Sequence, residues 1–358
     1  MPVHIIYYSK KIFIPETFIM HRIKKCLCAA LAVCTTLVAL PSCSDEDGDM
    51  KTLRINEVTH SVFYAPLYLA DSLGYFEEEK IKIELTNGGG ADNVMASVLS
   101  GDADIGFCGP EAALYVLIGG STDVPTVVGQ LTKRDGSFLV SRKPEPNFQW
   151  SDLKGKEILA GRKGGMPAMT FEYILNNNGL QDGKDLRLNY DVSFNLMTSA
   201  FEAGTADYCT MFDPVAYEYE AAGKGYVVAS VGEASGEVPY TCFMAKNSWI
   251  QKNETHVEGF LRAVTKAVKY VYETDSDTVA EYLAPYFDGV SEASLAASVE
   301  RYLAIDAWRT ELSMTEDSFN RMQDIIEGAG ELSRRAKMND LVDNRYAKKV
   351  YQEIYKTE

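Results

Sequence analysis

Histidine is scarce: the 358 residues hold four, and only His60 and His256 lie beyond residue 43. That shortage argues against a metal centre built on imidazole. Cysteine offers no substitute. No Cys-x-x-Cys spacing occurs, and beyond residue 43 only Cys108, Cys209 and Cys242 remain, isolated and odd in number. They read as buried thiols, not as a disulfide framework or a metal site. Positive charge is short as well. Lys and Arg total 35 against 51 Asp and Glu, a formal net charge of −16, which argues against a nucleic-acid surface. Also missing are a Ser/His/Asp set, a paired-carboxylate motif and any metal-spaced cluster. No catalytic residue, metal or cofactor is therefore expected, and the chain does not read as an enzyme.

What the chain does have is one phrase of local structure, used twice. Val98 to Ala113 reads as a helix end, a turn at Gly101, a buried strand Asp104–Cys108, and a helix begun by Pro110 with Glu111 in its first turn. Ala200 to Pro214 repeats it, with Gly204-Thr205-Ala206-Asp207 answering Gly101-Asp102-Ala103-Asp104. The surroundings repeat too. Arg54–Val58 and Glu157–Ala160 read as strands, each followed by a loop, an amphipathic helix and a second strand (Ile81–Leu85; Leu186–Tyr190). Two copies of β-loop-α-β-α-β imply an α/β fold of two Rossmann-like lobes joined by a hinge and facing each other across a cleft. Length alone allows two cores. From Glu254 the chain turns helical: Val257, Phe260, Leu261, Val264, Val268 and Val271 keep helical spacing, as do Leu295, Val299, Tyr302 and Leu303. Trp308 reads as a packed residue more than a cleft aromatic.

The N-terminal segment is of another kind. Arg22, Lys24 and Lys25 precede an apolar run from Cys26 to Leu40 and then Leu40-Pro41-Ser42-Cys43. A basic region followed by a run too short for a membrane span is a secretory signal. Residues 1–19 look foreign to such a signal, which points to Met20 as the start. Leu-x-Ser-Cys resembles a lipobox, making Cys43 the lipidated first residue of an extracytoplasmic protein; ordinary signal-peptidase cleavage is the alternative. Ser44-Asp45-Glu46-Asp47-Gly48-Asp49 is an acidic tether, read either as a solvated linker or as a tag for the cell surface.

Ala65-Pro66-Leu67-Tyr68-Leu69-Ala70, then Gly74-Tyr75-Phe76, then Gly101-Asp102-Ala103-Asp104-Ile105-Gly106 resemble the solute-binding proteins of ABC importers. Within them the chain is most similar to the sulfonate, nitrate and thiamine-precursor-binding family, over roughly Leu53 to Ser248. The resemblance implies the type II periplasmic-binding fold, capture of a small ligand by cleft closure, and docking of a monomer on a membrane permease and its ATPase. It gives the organisation as a signal peptide (1–43), a tether (44–52), lobe one (53–133), lobe two (134–239), and a return to lobe one with C-terminal helices (240–358). The same fold occurs in cytosolic pyrimidine-forming enzymes, but their cysteine-rich catalytic motif is absent, leaving only Cys209 at that position.

The candidate ligand contacts follow from loops at the carboxyl edges of strands, where open α/β sheets bind. The first loop offers His60, Ser61, Phe63 and Tyr64, with His60 either donating to ligand or packing the loop. Gly88-Gly89-Gly90 lets backbone approach closely through Gly89 and Gly90. The central stretch gives Phe107, Cys108 and Glu111, the last either a ligand group or a helix-dipole partner. Gln130 sits at the first hinge crossing. Arg162, Gly164, Gly165 and Met166, in a basic Gly-rich turn before a Pro-started helix, form the strongest anion-binding candidate. Phe212, Asp213 (acceptor or N-cap) and Tyr240 close the cleft from the other side. Aromatics with two carboxylates favour a small heteroaromatic such as a thiamine pyrimidine precursor. A sulfonate, nitrate or taurine-type oxyanion is the alternative.

Overall fold

A computed structural model of the chain describes residues 50–356. The expected signal peptide, the expected lipid anchor at Cys43 and most of the acidic tether lie outside the described residues. The first strands are β1 (Lys51–Glu57), β2 (Ile81–Asn87), β3 (Ile105–Cys108), β4 (Pro125–Thr132) and β5 (Ser137–Ser141). They are followed by β6 (Glu157–Leu159), β7 (Arg187–Leu188), β8 (Tyr208–Phe212), β9 (Tyr226–Ser230) and β10 (Thr241–Lys246).

These strands form two five-stranded sheets of one design, ordered β2-β1-β3-β10-β4 and β7-β6-β8-β5-β9. In each, three parallel strands are followed by an antiparallel one, β10 or β5, which sits beside the last. The antiparallel strands are exchanged: β5 follows the first lobe's β4, and β10 follows the second lobe's β9. The chain therefore crosses between lobes twice, at residues 133–136 and 231–240, and the crossings are bonded to each other. Val238 N donates to the Lys133 carbonyl at 2.9 Å, and Thr241 N to Thr132 Oγ1 at 2.9 Å.

The repeated Gly-x-Ala-Asp has a structural reason. Asp104 Oδ2 accepts the Arg54 amide at 3.0 Å while the Asp104 amide donates to the Arg54 carbonyl at 2.8 Å. Asp207 does the same for Glu157, at 2.9 and 2.8 Å. Each aspartate thus fixes the register of β3 on β1, or β8 on β6. Gly106 is needed for close packing: a Cβ there would lie 2.7 Å from Val98 Cγ2, on the helix Ala91–Ser100 that covers β3.

The C-terminal helices supply lobe one with much of its core. Val257, Phe260, Leu261, Val264, Val268 and Val271 are all buried along the helix Glu254–Glu273. Trp308 is fully buried and donates its indole N–H to the Phe63 carbonyl at 2.8 Å. No described helix is long and apolar enough to cross a membrane.

Candidate functional site

The loops leaving the parallel strands of both sheets converge on one small, partly open cavity of about 50 Å³. Lobe one contributes Val58, Thr59 and Tyr64 after β1, Gly90 and Ala91 after β2, and Gly109 and Glu111 after β3. Lobe two contributes Arg162, Gly165, Met166 and Pro167 after β6, Phe194 after β7, and Phe212 at the end of β8. Tyr240 and Thr241, on the second crossing and the start of β10, complete the wall.

The wall is mainly aromatic. Phe212 meets Phe194 edge-on at 6.0 Å between centroids, and Tyr240 at 6.4 Å. The Tyr64 ring packs 4.4 Å from Phe107, and its phenol contacts Thr241 Oγ1 at 3.4 Å. The Tyr240 hydroxyl is buried beside the Asp135 carboxyl.

Glu111 is the one carboxylate on this wall, and it is 2 % exposed. It opens the helix Glu111–Ile118 in lobe one and reaches the first amide of the helix Met166–Asn177 in lobe two. Met166 N donates to its Oε1 at 3.1 Å, whereas Oε2 has no partner. Burial pushes its pKa up to about 7, against the pull of the Met166 amide, its own amide and the Arg162 charge. Gly109 makes room for this carboxyl: a Cβ there would lie 2.0 Å from Oε2.

The basic Gly-rich turn is engaged elsewhere. Arg162 pairs with Asp92 of lobe one at 3.0 Å, both side chains about half exposed, and Lys163 approaches Glu331 at 3.8 Å. The Gly164 carbonyl accepts the Tyr115 hydroxyl at 3.0 Å and lies in an outer groove beside the cavity. The turn therefore joins the lobes at the mouth of the cleft.

Of the residues expected to face a ligand, Tyr64, Gly90, Glu111, Arg162, Gly165, Met166, Phe212 and Tyr240 lie on the cavity wall. His60, Ser61, Phe63, Gly89, Phe107, Cys108, Gln130, Gly164 and Asp213 lie off it, for identifiable reasons. His60 sets Nδ1 against Glu57 Oε1 at 2.7 Å and Nε2 against the Tyr286 carbonyl at 2.8 Å. Two oxygen neighbours favour the protonated ring, and the Tyr68 hydroxyl also lies 3.1 Å from Nδ1. Burial works against that charge, but Glu57 and the Tyr286 carbonyl outweigh it and raise the pKa. His60 instead borders a neighbouring hollow that shares Thr59, Phe194 and Phe212 with the cavity. Ser61 and Val62 hold the Asp213 carbonyl through Oγ and N. Phe63 and Phe107 are core residues, the latter stacked 4.3 Å from Phe243.

Cys108 is fully buried opposite Cys242 across β3 and β10, and both are free thiols. Gln130 is buried and donates to the Thr132 carbonyl at 3.1 Å. Gly89 adjoins Asn195 of lobe two. The Asp213 carboxyl accepts the Tyr217 amide at 2.9 Å inside the following helix and lies 3.5 Å from Arg301. Burial raises its pKa to about 6, with Arg301 opposing. Among the described residues no group of three or more His, Cys, Asp or Glu is placed to hold a metal.

Sequence reasoning missed Val58, Thr59, Ala91, Gly109, Pro167, Phe194 and Thr241. Gly109 carried a signal in its place two residues before Glu111. Phe194 carried none, because its short turn Phe194–Leu196 follows no periodic pattern.

The family model described as NMT1/THI5 like matches residues 62–277. A Bacillus subtilis relative, "Putative binding protein YtlA", is 38 % identical over 317 residues, covering 88 % of this chain and 95 % of that protein. The 4-amino-5-hydroxymethyl-2-methylpyrimidine phosphate synthase of Aspergillus parasiticus is 25 % identical over 250 residues, 65 % of this chain and 71 % of that one. Among solved structures, the periplasmic nitrate-binding protein NrtA from Synechocystis superposes with a TM-score of 0.70 at 13 % identity, covering 86 % of this chain and 90 % of that one. The alkanesulfonate-binding protein SsuA from Xanthomonas axonopodis, bound to MOPS, does so at 0.66 and 21 % identity, covering 82 % and 98 %. The two-lobed fold is thus that of periplasmic binding proteins, and by sequence the chain belongs to the NMT1/THI5-like family.

Proposed function

We propose that this protein is the solute-binding component of an ABC importer, which captures a small ligand by closing two lobes around it and delivers it to a permease and its ATPase. The observation that carries this reading is the cleft cavity, walled by the carboxyl edges of both sheets. We take 53–133 with 240–358 as one lobe and 134–239 as the other, anchored as an extracytoplasmic monomer through lipid on Cys43. The names of the B. subtilis relative and of the solved neighbours support binding over catalysis.

The ligand we infer is a small heteroaromatic such as a thiamine pyrimidine precursor. Aromatic rings from both lobes suit a planar molecule, each good pair adding about 1 kcal/mol beyond burial. The free oxygen of Glu111 suits an N–H donor. A sulfonate or nitrate is the second reading, supported by Arg162 on the wall. It is weakened by the Asp92 partner of that guanidinium and by the buried carboxyl facing the same space.

A thermal-shift screen of pyrimidines, thiamine, taurine, alkylsulfonates and nitrate tests both readings. Ligand at 100 times its Kd adds about 2.7 kcal/mol of stability. A shift with heteroaromatics alone supports the first reading, one with sulfonate or nitrate alone replaces it with the second, and product formation in the same mixtures would overturn the binding-protein assignment.

A further inference from the structure

Glu111 stands at the meeting point of three things: a lobe-one helix, the N-terminus of a lobe-two helix, and the cavity. One carboxylate oxygen accepts the Met166 amide across the cleft at 3.1 Å, and the other is buried without a partner. The neighbouring contacts at this mouth of the cleft are weaker in kind, while deeper in, Ser61 Oγ and Val62 N hold the Asp213 carbonyl across the lobes. Arg162 with Asp92 is a half-exposed ion pair, and such pairs are worth little in water. Tyr115 to the Gly164 carbonyl is a single neutral hydrogen bond. The carboxyl at the helix N-terminus, by contrast, is almost wholly removed from water.

We propose that Glu111 is a positioning residue for ligand capture: a proton-sensitive strut that spans the closed cleft and holds the two lobes together. The proposal rests on the cavity being the ligand site. When the lobes part, the Met166 amide withdraws and water reaches the carboxyl. Closing strips that water away, which costs much for a carboxylate with an unpaired oxygen and little for the neutral acid. A proton on Oε2 therefore favours closure, and a ligand N–H at the same oxygen substitutes for that proton when the group is ionised.

The groups facing Glu111 do not obscure this. They are Arg162 with its partner Asp92, the phenols of Tyr115 and Tyr240, and the thiols of Cys108 and Cys242. Burial raises both phenols and both thiols, keeping them neutral near pH 7. Asp135 and Asp213 are also buried at the lobe junction with raised pKa values, so the test must separate Glu111 from them.

The decisive measurement uses ligand-free protein labelled with ¹⁵N-methionine, following the Met166 amide and the radius of gyration between pH 6 and 8. The Met166 amide is expected to titrate with a midpoint near 7. The open-to-closed ratio is expected to rise with pH by up to about tenfold per unit. Glu111→Gln keeps an oxygen for the amide without a charge to desolvate, and should stay compact across the range with no titration at Met166. A Met166 amide indifferent to pH in the wild type, which needs no substitution, overturns the proposal. So does an equal change in radius of gyration in Glu111→Gln, which would assign the effect to Asp135 or Asp213. Neither readout involves ligand, so a negative thermal-shift screen with this strut present would count against the solute-binding reading alone.

Discussion

At the scale of residues, position relative to the cavity decides what a substitution does. Gly109→Ala puts a Cβ 2.0 Å from Glu111 Oε2, so the carboxyl must swing off the wall. The expected outcome is a lost ligand-induced thermal shift with the ligand-free melting temperature lowered by only a few degrees. Phe107→Ala behaves in the opposite way. This ring is stacked on Phe243 with no exposed surface, and its loss should cost about 3–5 kcal/mol in urea denaturation. An unchanged midpoint would return Phe107 to the cleft, where sequence reasoning had put it. The sequence could not separate the two positions, because a four-residue strand buried on both faces gives no alternation to tell inward from outward.

At the scale of elements, the twofold Gly-x-Ala-Asp phrase was the most legible feature of the sequence. Its aspartates bond strand residues that lie at the same distance along the chain in both lobes, Arg54 to Asp104 and Glu157 to Asp207. Replacing either by Ala should cost about 1–3 kcal/mol, measured by chemical denaturation. Asp104→Ala should cost more, because Asp104 also holds the Arg54 guanidinium at 2.8 Å. Equal losses would mean that the exposed ion pair adds nothing. The parallel strands and the helix starts were legible because Gly, Pro and short apolar runs punctuate them. β5 and β9 were not, since their pairing partners lie in distant sequence and nothing local announces an antiparallel return. The Gly-rich basic turn, whose Arg162, Gly165 and Met166 do lie on the cavity wall, was legible only in part, for a related reason. Its composition reads as an anion cradle, but the ion pair that engages it comes from Asp92, far away in the chain.

At the scale of the whole molecule, buried acids and one histidine set a common direction for pH. Glu111 stands at about 7, and Asp135 and Asp213 at about 6, each raised mainly by burial. A raised folded-state pKa gives stability that is full below the unfolded value and lost as pH rises through the folded one. His60, also raised, acts with the same sign. Asp104, Asp123 and Asp343, lowered in the folded state, lose their contributions as pH falls below the ordinary carboxylate range. Scanning calorimetry should therefore find the highest melting temperature near pH 5, with a decline towards pH 8. A maximum at pH 8 would mean that these acids are solvated in solution.

The exchange of antiparallel strands has a consequence for the order in which the protein can be made. Synthesis runs from the N-terminus, so β3 and β4 leave the ribosome with the place between them empty. It stays empty until Thr241–Lys246 arrives, after the whole of the second sheet. The second sheet suffers no such delay, because β5 is already waiting when β8 and β9 appear. The half that begins first must therefore finish last, and a nascent chain stopped anywhere before β10 carries two open strand edges and no completed first lobe.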